Sequence, residues 1–145
     1  MSVRPAREAD LDAVCAIARE SLFAACWSRE LYRQEIGSSR SCFVVWEEGG
    51  EVLGYLLARR VDVEAQVLDM AVRPQDQGRG VGMSLLEHLA GEARSWGCAR
   101  ITLEVSARNE PAQRLYRKTG YQVVGRRRKF YNDGSDAVLM DRLLA

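Results

Sequence analysis

A glycine-rich turn between an apolar strand and a helix is the first candidate for chemistry. It follows the strand-like run that ends at Val72, precedes a helical run from Met83, and reads Gln77-Gly78-Arg79-Gly80-Val81-Gly82. The start of a helix leaves several backbone N–H groups without partners, all pointing one way. The glycines allow positive φ and remove Cβ atoms that would keep a diphosphate at a distance, and Arg79 adds a positive charge. We therefore expect a phosphate-bearing ligand, although a turn that only connects strand and helix is an open alternative.

The spacing within this turn discriminates between phosphate-binding patterns. The turn lacks the Gly-Lys-Ser/Thr ending that serves a nucleotide triphosphate, and Gly82 comes one residue too early for the dinucleotide pattern Gly-x-Gly-x-x-Gly. The spacing Gln77-x-x-Gly80-x-Gly82 resembles the pyrophosphate loop of the GNAT superfamily of N-acetyltransferases. The resemblance implies acetyl-CoA as the co-substrate. It also implies an α/β fold in which a mixed central sheet is flanked by helices on both faces, with two splayed strands forming the acetyl-CoA cleft.

Two side chains could serve as base and acid when an acetyl group passes from a thioester to an amine. Glu104 is a carboxylate in the otherwise apolar strand Ile101 to Val105, where burial would raise its pKa and improve it as a base. It could instead face solvent or pair with an arginine. Tyr116 shares a helical face with Ala112 and Leu115, so it points inward, where its hydroxyl could protonate a departing thiolate. A core tyrosine bonded to a backbone carbonyl fits the same spacing.

Longer motifs extend the resemblance to the RimI branch, the protein N-terminal alanine acetyltransferases of bacteria and archaea. They are Leu103-Glu104-Val105, Asn109, Leu115-Tyr116-Arg117-Lys118-Thr119-Gly120-Tyr121 and the run from Arg127 to Met140. The resemblance implies Glu104 as general base and Tyr116 as general acid. Three sets of residues would then bind acetyl-CoA: the strand backbone at Met70, Ala71 and Val72, the diphosphate loop Gln77 to Gly82, and Asn109 at the pantetheine arm.

The acceptor that this resemblance implies is the α-amino group of a protein N-terminus, with the N-terminal alanine of a small-subunit ribosomal protein as the expected target. We expect Trp27 and Tyr131 to contact it. Trp27 belongs to the apolar segment Phe23 to Trp27, which either plugs the core or walls a substrate groove. The order Ser106-Ala107-Arg108 differs from the Arg-Ala-Ser expected after the glutamate, which weakens transfer of an exact peptide preference. Two alternatives stay open: an acetyltransferase acting on a polyamine, amino acid or aminoglycoside, and a non-catalytic acyl-CoA sensor.

Bulk composition excludes several other classes. The 145 residues suit a single domain over residues 1–145, and a net charge of +1 provides no global field for nucleic acid or membranes. One histidine and four separated cysteines offer no metal site. Since no targeting or membrane-spanning segment is evident, we expect a cytoplasmic protein. We also expect it to be a monomer. The basic run Arg126-Arg127-Arg128-Lys129 could bind RNA, but the alternation of strand side chains favours a solvated face with one or two cofactor or peptide contacts.

Hydrophobic periodicity and turn residues predict the elements that position these side chains. The predicted strands cover residues 2–4, 42–47, 52–61, 64–72, 100–105, 121–129 and 137–143, and the predicted helices cover residues 11–22, 29–36, 81–96 and 110–119. Asp10 and Ser28 are expected to cap the first two helices, with Leu22 on the buried stripe of the first. Alternating strands and helices of this kind favour a mixed α/β sheet.

Overall fold

The computed structural model describes residues 2–144, which form one seven-stranded sheet covered by helices on both faces. The strands are β1 Ser2–Pro5, β2 Ser41–Glu48, β3 Glu51–Val61, β4 Glu64–Val72, β5 Arg100–Ser106, β6 Gln122–Arg127 and β7 Ala137–Leu143. The helices are α1 Leu11–Glu20, α2 Arg29–Glu35, α3 Val81–Ser95 and α4 Glu110–Lys118. The strand order is β1-β2-β3-β4-β5-β7-β6, in which β4 and β5 are parallel and the other neighbours antiparallel. The predicted order of elements and the α/β class are confirmed.

The two faces of the sheet carry separate hydrophobic cores, because successive side chains of a strand point to opposite faces. The core beneath α3 and α4 includes Leu56, Leu85, Leu86, Leu89, Ile101, Leu103, Val105 and Tyr116. The core beneath α1 and α2 includes Leu11, Val14, Tyr32, Val45, Tyr55, Leu57 and Ala71. None of the helices within residues 2–144 combines the length and apolarity needed to cross a bilayer.

The first helix begins at Leu11 as predicted, but its cap and its end differ from the prediction. It stops at Glu20, because Ser21 adopts an extended backbone with ψ of 125°, and Leu22 beyond it is 87% exposed. The Asp10 carboxylate does not cap α1: it accepts hydrogen bonds from Arg4 at 2.8 and 2.9 Å and from the Arg7 N–H at 2.8 Å. The predicted Ser28 cap of α2 is confirmed, since its Oγ accepts the Leu31 N–H at 3.3 Å.

A bulge in β4 sets the geometry of the candidate site. Leu68 is an extra residue in the ladder with β3, between the paired positions Val67 and Asp69. Such a bulge bends its strand and increases the local twist. β4 pairs with β5 only where Glu64–Gln66 meet Arg100–Thr102, and beyond this point the two strands separate. The predicted splay between the strands of Met70 and Glu104 is therefore present.

Candidate active site

The gap between β4 and β5 presents two backbone donors from β4. The Arg73 N–H donates to the Leu53 carbonyl of β3 at 2.8 Å. Alternate residues of an antiparallel strand point their N–H groups in opposite directions, so Ala71 also pairs with β3, whereas Met70 and Val72 point towards the gap. Ala71 thus brings no N–H to the gap, and its side chain is buried on the α1–α2 face.

The start of α3 is open to an anion. Gly80 caps the helix with φ of 86° and Gly78 has φ of 82°, which confirms the positive φ predicted for both. The first helical hydrogen bond runs from the Ser84 N–H to the Gly80 carbonyl at 3.0 Å, so the N–H groups of residues 81–83 have no acceptor within the helix. A Cβ on Gly78 or Gly80 would meet no other atom within 4 Å. The turn therefore fits the diphosphate of acetyl-CoA.

Gly82 serves packing rather than positive φ, contrary to the prediction. It lies buried inside α3, and a Cβ there would come within 2.7 Å of Leu115 Cδ2 and 3.1 Å of Met70 Cε. The absence of a side chain lets the first turn of α3 approach both α4 and β4. Gly82 thereby brings the helix start up to the edge of the gap.

Arg79 does not offer the free positive charge that the sequence suggested. Its guanidinium donates to Asp76 at 2.7 Å and to Glu48 at 3.0 and 3.1 Å. Asp76 also accepts from Arg73 at 2.6 Å, and this hydrogen bond is the main cause that lowers the pKa of Asp76. Two carboxylates therefore neutralise Arg79, and the backbone N–H groups of the turn are the principal donors to an anion.

Gln77 and Asn109 both use their side chains to fix local structure. The Gln77 Nε2 donates to the Val72 carbonyl at 3.2 Å, which folds its side chain back onto the end of β4. Asn109 caps α4, and its Oδ1 accepts the Ala112 N–H at 3.3 Å. This cap occupies the oxygen of Asn109, so its NH2 group is the part left for the pantetheine contact implied by the resemblance.

Glu104 lies on the same side of the sheet as α1 and α2. Its neighbours Leu103 and Val105 are buried beneath α3 and α4, so the Glu104 side chain points to the opposite face. The predicted burial of this carboxylate is wrong, because the residue is exposed. Its Oε1 lies 3.6 Å from Nη2 of Arg127, the arginine pairing that was the stated alternative. The Arg127 guanidinium also lies 5.5 Å from the centre of the Phe130 ring.

Tyr116 lies on the opposite face of the sheet from Glu104, in the core beneath α3 and α4, and its predicted inward orientation is confirmed. It is 9% exposed, and its ring centre lies 5.8 Å from that of Tyr121. Burial, followed by the negative charges of Asp69 and ionised Tyr131, raises the pKa of Tyr116 to about 12. The phenol is therefore neutral at physiological pH and able to donate a proton. Among residues 2–144, no hydrogen bond contributes to this shift.

Tyr131 is half-buried in the connection between β6 and β7. Its carbonyl accepts the Gly134 N–H at 2.9 Å, and its own N–H donates to the Ser135 carbonyl at 3.2 Å. The Ser135 hydroxyl lies 2.9 Å from that of Ser106, which joins this connection to the end of β5. Burial, followed by the charge of Glu104, raises the pKa of Tyr131. The structure therefore places Tyr131 within electrostatic range of both Glu104 and Tyr116.

The basic run does not present one uniform face. Arg126 donates to Asp136 at 2.9 Å, whereas Arg127 pairs with Glu104. Adjacent arginines therefore meet carboxylates on different elements, as the alternation of strand side chains predicted. This pattern matches a solvated face with a contact at the candidate site.

A buried cluster around Asp69 is the feature that sequence reasoning missed. Asp69 is 5% exposed and accepts hydrogen bonds from the hydroxyls of Tyr32 at 2.5 Å and Tyr55 at 2.7 Å. Trp27, predicted to contact substrate, stacks on Tyr32 with ring centres 5.7 Å apart. A carboxylate in an otherwise apolar run was the signal that singled out Glu104, and Asp69 gives the same signal within the run from Val67 to Val72.

The fold and this site define an acetyltransferase, and comparison with known proteins identifies the family. Residues 11–121 match the acetyltransferase (GNAT) family, and the chain belongs to it. It is similar to the ribosomal protein bS18-alanine N-acetyltransferase of Escherichia coli K12, with 33% identity over 117 residues, 79% of this chain and 78% of that protein. It is 36% identical over 121 residues to the N-alpha-acetyltransferase RimI of Mycobacterium tuberculosis, covering 80% of this chain and 75% of the relative.

The crystal structure of the Escherichia coli ribosomal-protein-S18-alanine N-acetyltransferase superposes with a TM-score of 0.86 and 29% identity. The superposition covers 99% of this chain and 94% of the other. The predicted resemblance to RimI-type enzymes is therefore confirmed, and the protein is an acetyl-CoA-dependent N-acetyltransferase.

Proposed function

We propose that this enzyme acetylates the α-amino group of a protein N-terminus, with the N-terminal alanine of ribosomal protein bS18 as its target. One observation carries the proposal. The chain is 33% identical to the bS18-alanine acetyltransferase of Escherichia coli K12 over 79% of its length, well beyond the acetyl-CoA loop that distant family members would share.

On the donor side, this chain holds acetyl-CoA with backbone groups. The open start of α3 accepts the diphosphate, aided by the partial positive charge of a helix N-terminus. Met70 and Val72 direct N–H groups into the gap, where they stabilise negative charge that develops on a carbonyl oxygen. A donor of this kind is worth about 2.7–4 kcal/mol in other acyl-transfer enzymes. Bound acetyl-CoA supplies the acetyl thioester that the amine attacks.

On the acceptor side, Glu104 takes the proton that the amine must lose. An α-amino group has a pKa of about 7.7–8.0, so the proton leaves readily near neutral pH, directly or through a water. Tyr116, on the opposite face of the sheet, protonates the departing sulfur. Base and acid thus lie on opposite faces of the sheet, and no covalent enzyme intermediate is needed.

Peptide acetylation read by mass spectrometry tests this proposal. The substrates are a peptide with the bS18 N-terminal sequence, variants beginning with Ser or Met, and the same peptide with a blocked N-terminus and an internal lysine. We expect acetylation of the free N-terminal alanine and none of the blocked peptide. Efficient acetylation of spermidine, an amino acid or an aminoglycoside, with inert peptides, would refute the protein substrate. A protein that binds acetyl-CoA but acetylates no amine would be a sensor.

A further inference from the structure

The segment between α1 and α2 forms neither helix nor strand, so it has no regular backbone hydrogen bonds of its own. α1 ends at Glu20 and α2 begins at Arg29, so residues 21–28 are irregular. The segment carries exposed apolar side chains, with Leu22 at 87% and Phe23 at 39%. Cys26 lies in the left-handed region with φ of 53°, which costs a non-glycine residue of order 1 kcal/mol. Contacts outside the segment must therefore impose this conformation.

Those contacts come from the buried cluster around Asp69. The Ala25 N–H donates to Asp69 Oδ1 at 3.0 Å, and the Trp27 N–H donates to the Tyr32 hydroxyl at 3.2 Å. Tyr32 in turn donates to Asp69 Oδ2, which also accepts a hydrogen bond from the Tyr55 hydroxyl. The backbone is thus held immediately before and after Cys26. Tyr32 and Tyr55 are each 0% exposed, so water does not compete for these bonds.

The anchor point is the part of β4 that borders the gap. Asp69 directly precedes Met70, whose N–H points between β4 and β5, and the charge of Asp69 reaches Tyr116. Beyond the β4 bulge, Asp69 and Ala71 face the α1–α2 side of the sheet, which is also the side of Glu104. The segment is therefore tied to the gap on the face from which the amine must approach the base.

We propose that Asp69, Tyr32 and Tyr55 are positioning residues that hold segment 21–28 as the acceptor-side wall of the gap. This inference rests on the proposed function, because the wall is assigned to a peptide acceptor. The cluster attaches this wall to β4, the strand whose N–H groups orient the acetyl group. The attachment therefore fixes the distance between the amine and the acetyl carbon. Stability alone does not require it, because buried polar clusters can often be replaced by apolar side chains of similar volume.

Kinetics with each substrate varied separately test this inference. In Asp69→Asn and Tyr55→Phe we expect the KM for the peptide to rise about fivefold or more, because a hydrogen bond to a charged group is lost. The KM for acetyl-CoA should stay within about twofold, because the α3 start is untouched. Asp10→Asn is the matched control: it removes another buried carboxylate, at the opposite end of α1, and should change neither value.

Parallel increases in both KM values, or an unchanged KM for the peptide, would overturn the inference. If no peptide is a substrate, the proposed function is refuted, and hydrogen exchange then tests the present inference independently. The amides of Ala25 and Trp27 should exchange faster in Tyr55→Phe than in wild type or Asp10→Asn. Unchanged protection of these amides would show that the cluster does not hold the segment. Tyr55→Phe keeps the ring, so it serves even if Asp69→Asn fails to fold.

Discussion

Replacing Tyr116 by Phe removes only the hydroxyl oxygen and provides the sharpest test of its role. The Tyr116 hydroxyl makes no hydrogen bond to another side chain among residues 2–144, and the ring that remains still packs against Tyr121. No hydrogen bond within the protein is lost, so we expect the free energy of unfolding to change by less than about 1 kcal/mol. General acid catalysis typically contributes about 10²–10⁴-fold, so kcat should fall by that factor.

Tyr121→Phe is a control that the fold itself supplies. Tyr121 is 2% exposed, its hydroxyl has no partner within the described residues, and its ring touches that of Tyr116. This variant removes the same atom from a neighbouring buried ring, so it reproduces the packing change without the chemistry. We expect its kcat to stay within about twofold of wild type, because the Tyr121 hydroxyl has no role in the proposed reaction.

The assay measures kcat with both substrates saturating, the dissociation constant for acetyl-CoA, and unfolding in urea. Binding of acetyl-CoA should be unchanged in both variants. In wild type, Tyr116 should cause no loss of kcat on the alkaline side up to about pH 10, where a phenol with a pKa of about 12 is only about 1% ionised. The reasoning is refuted if Tyr116→Phe keeps more than about a third of wild-type kcat, or if Tyr121→Phe loses as much.

Three further perturbations address the base, the donor loop and the fold. Glu104→Gln should lower kcat by about 10²–10⁴-fold with unchanged acetyl-CoA binding and unfolding temperature, because the carboxylate is exposed; wild-type turnover would exclude it as the base. Gly80→Ala should raise the KM for acetyl-CoA by about tenfold and leave the KM for the acceptor unchanged, since φ of 86° disfavours a side chain by about 1–2 kcal/mol; equal changes in both would contradict this. Burial alone would raise the pKa of Asp10, but hydrogen bonds from Arg4 and the Arg7 N–H outweigh it, and the pKa is lowered. The Asp10 carboxylate thus stabilises the fold above its unfolded pKa of about 3.9, and this stabilisation is lost as pH falls through the lower folded value. Asp10→Asn should lower the free energy of unfolding by about 1–3 kcal/mol at pH 7 and by progressively less in acid. Urea unfolding that shows the same destabilisation at pH 7 and in acid would contradict this.

Local signals along the chain predicted the backbone shape of the glycine-rich turn and the start of α2. The positive φ of Gly78 and Gly80 and the Ser28 cap depend on residues within a few positions, so sequence spacing captures them. The end of α1 was misplaced, because Leu22 continues the apolar stripe although the chain has already turned outward at Ser21. Amphipathic periodicity reports which residues could share a face, not where the chain leaves the helix.

The sequence by itself determined the family, the order of elements and the backbone shape of the phosphate turn, because these depend on side chains and glycines that are close along the chain. Only the tertiary structure decided which charges are free. Arg79 is neutralised by Glu48, 31 positions away, and Glu104 meets Arg127 from another strand. Asp69 gathers partners 14, 37 and 44 positions distant. Charges act through space, so their partners depend on how the strands are ordered and splayed, which no local pattern records.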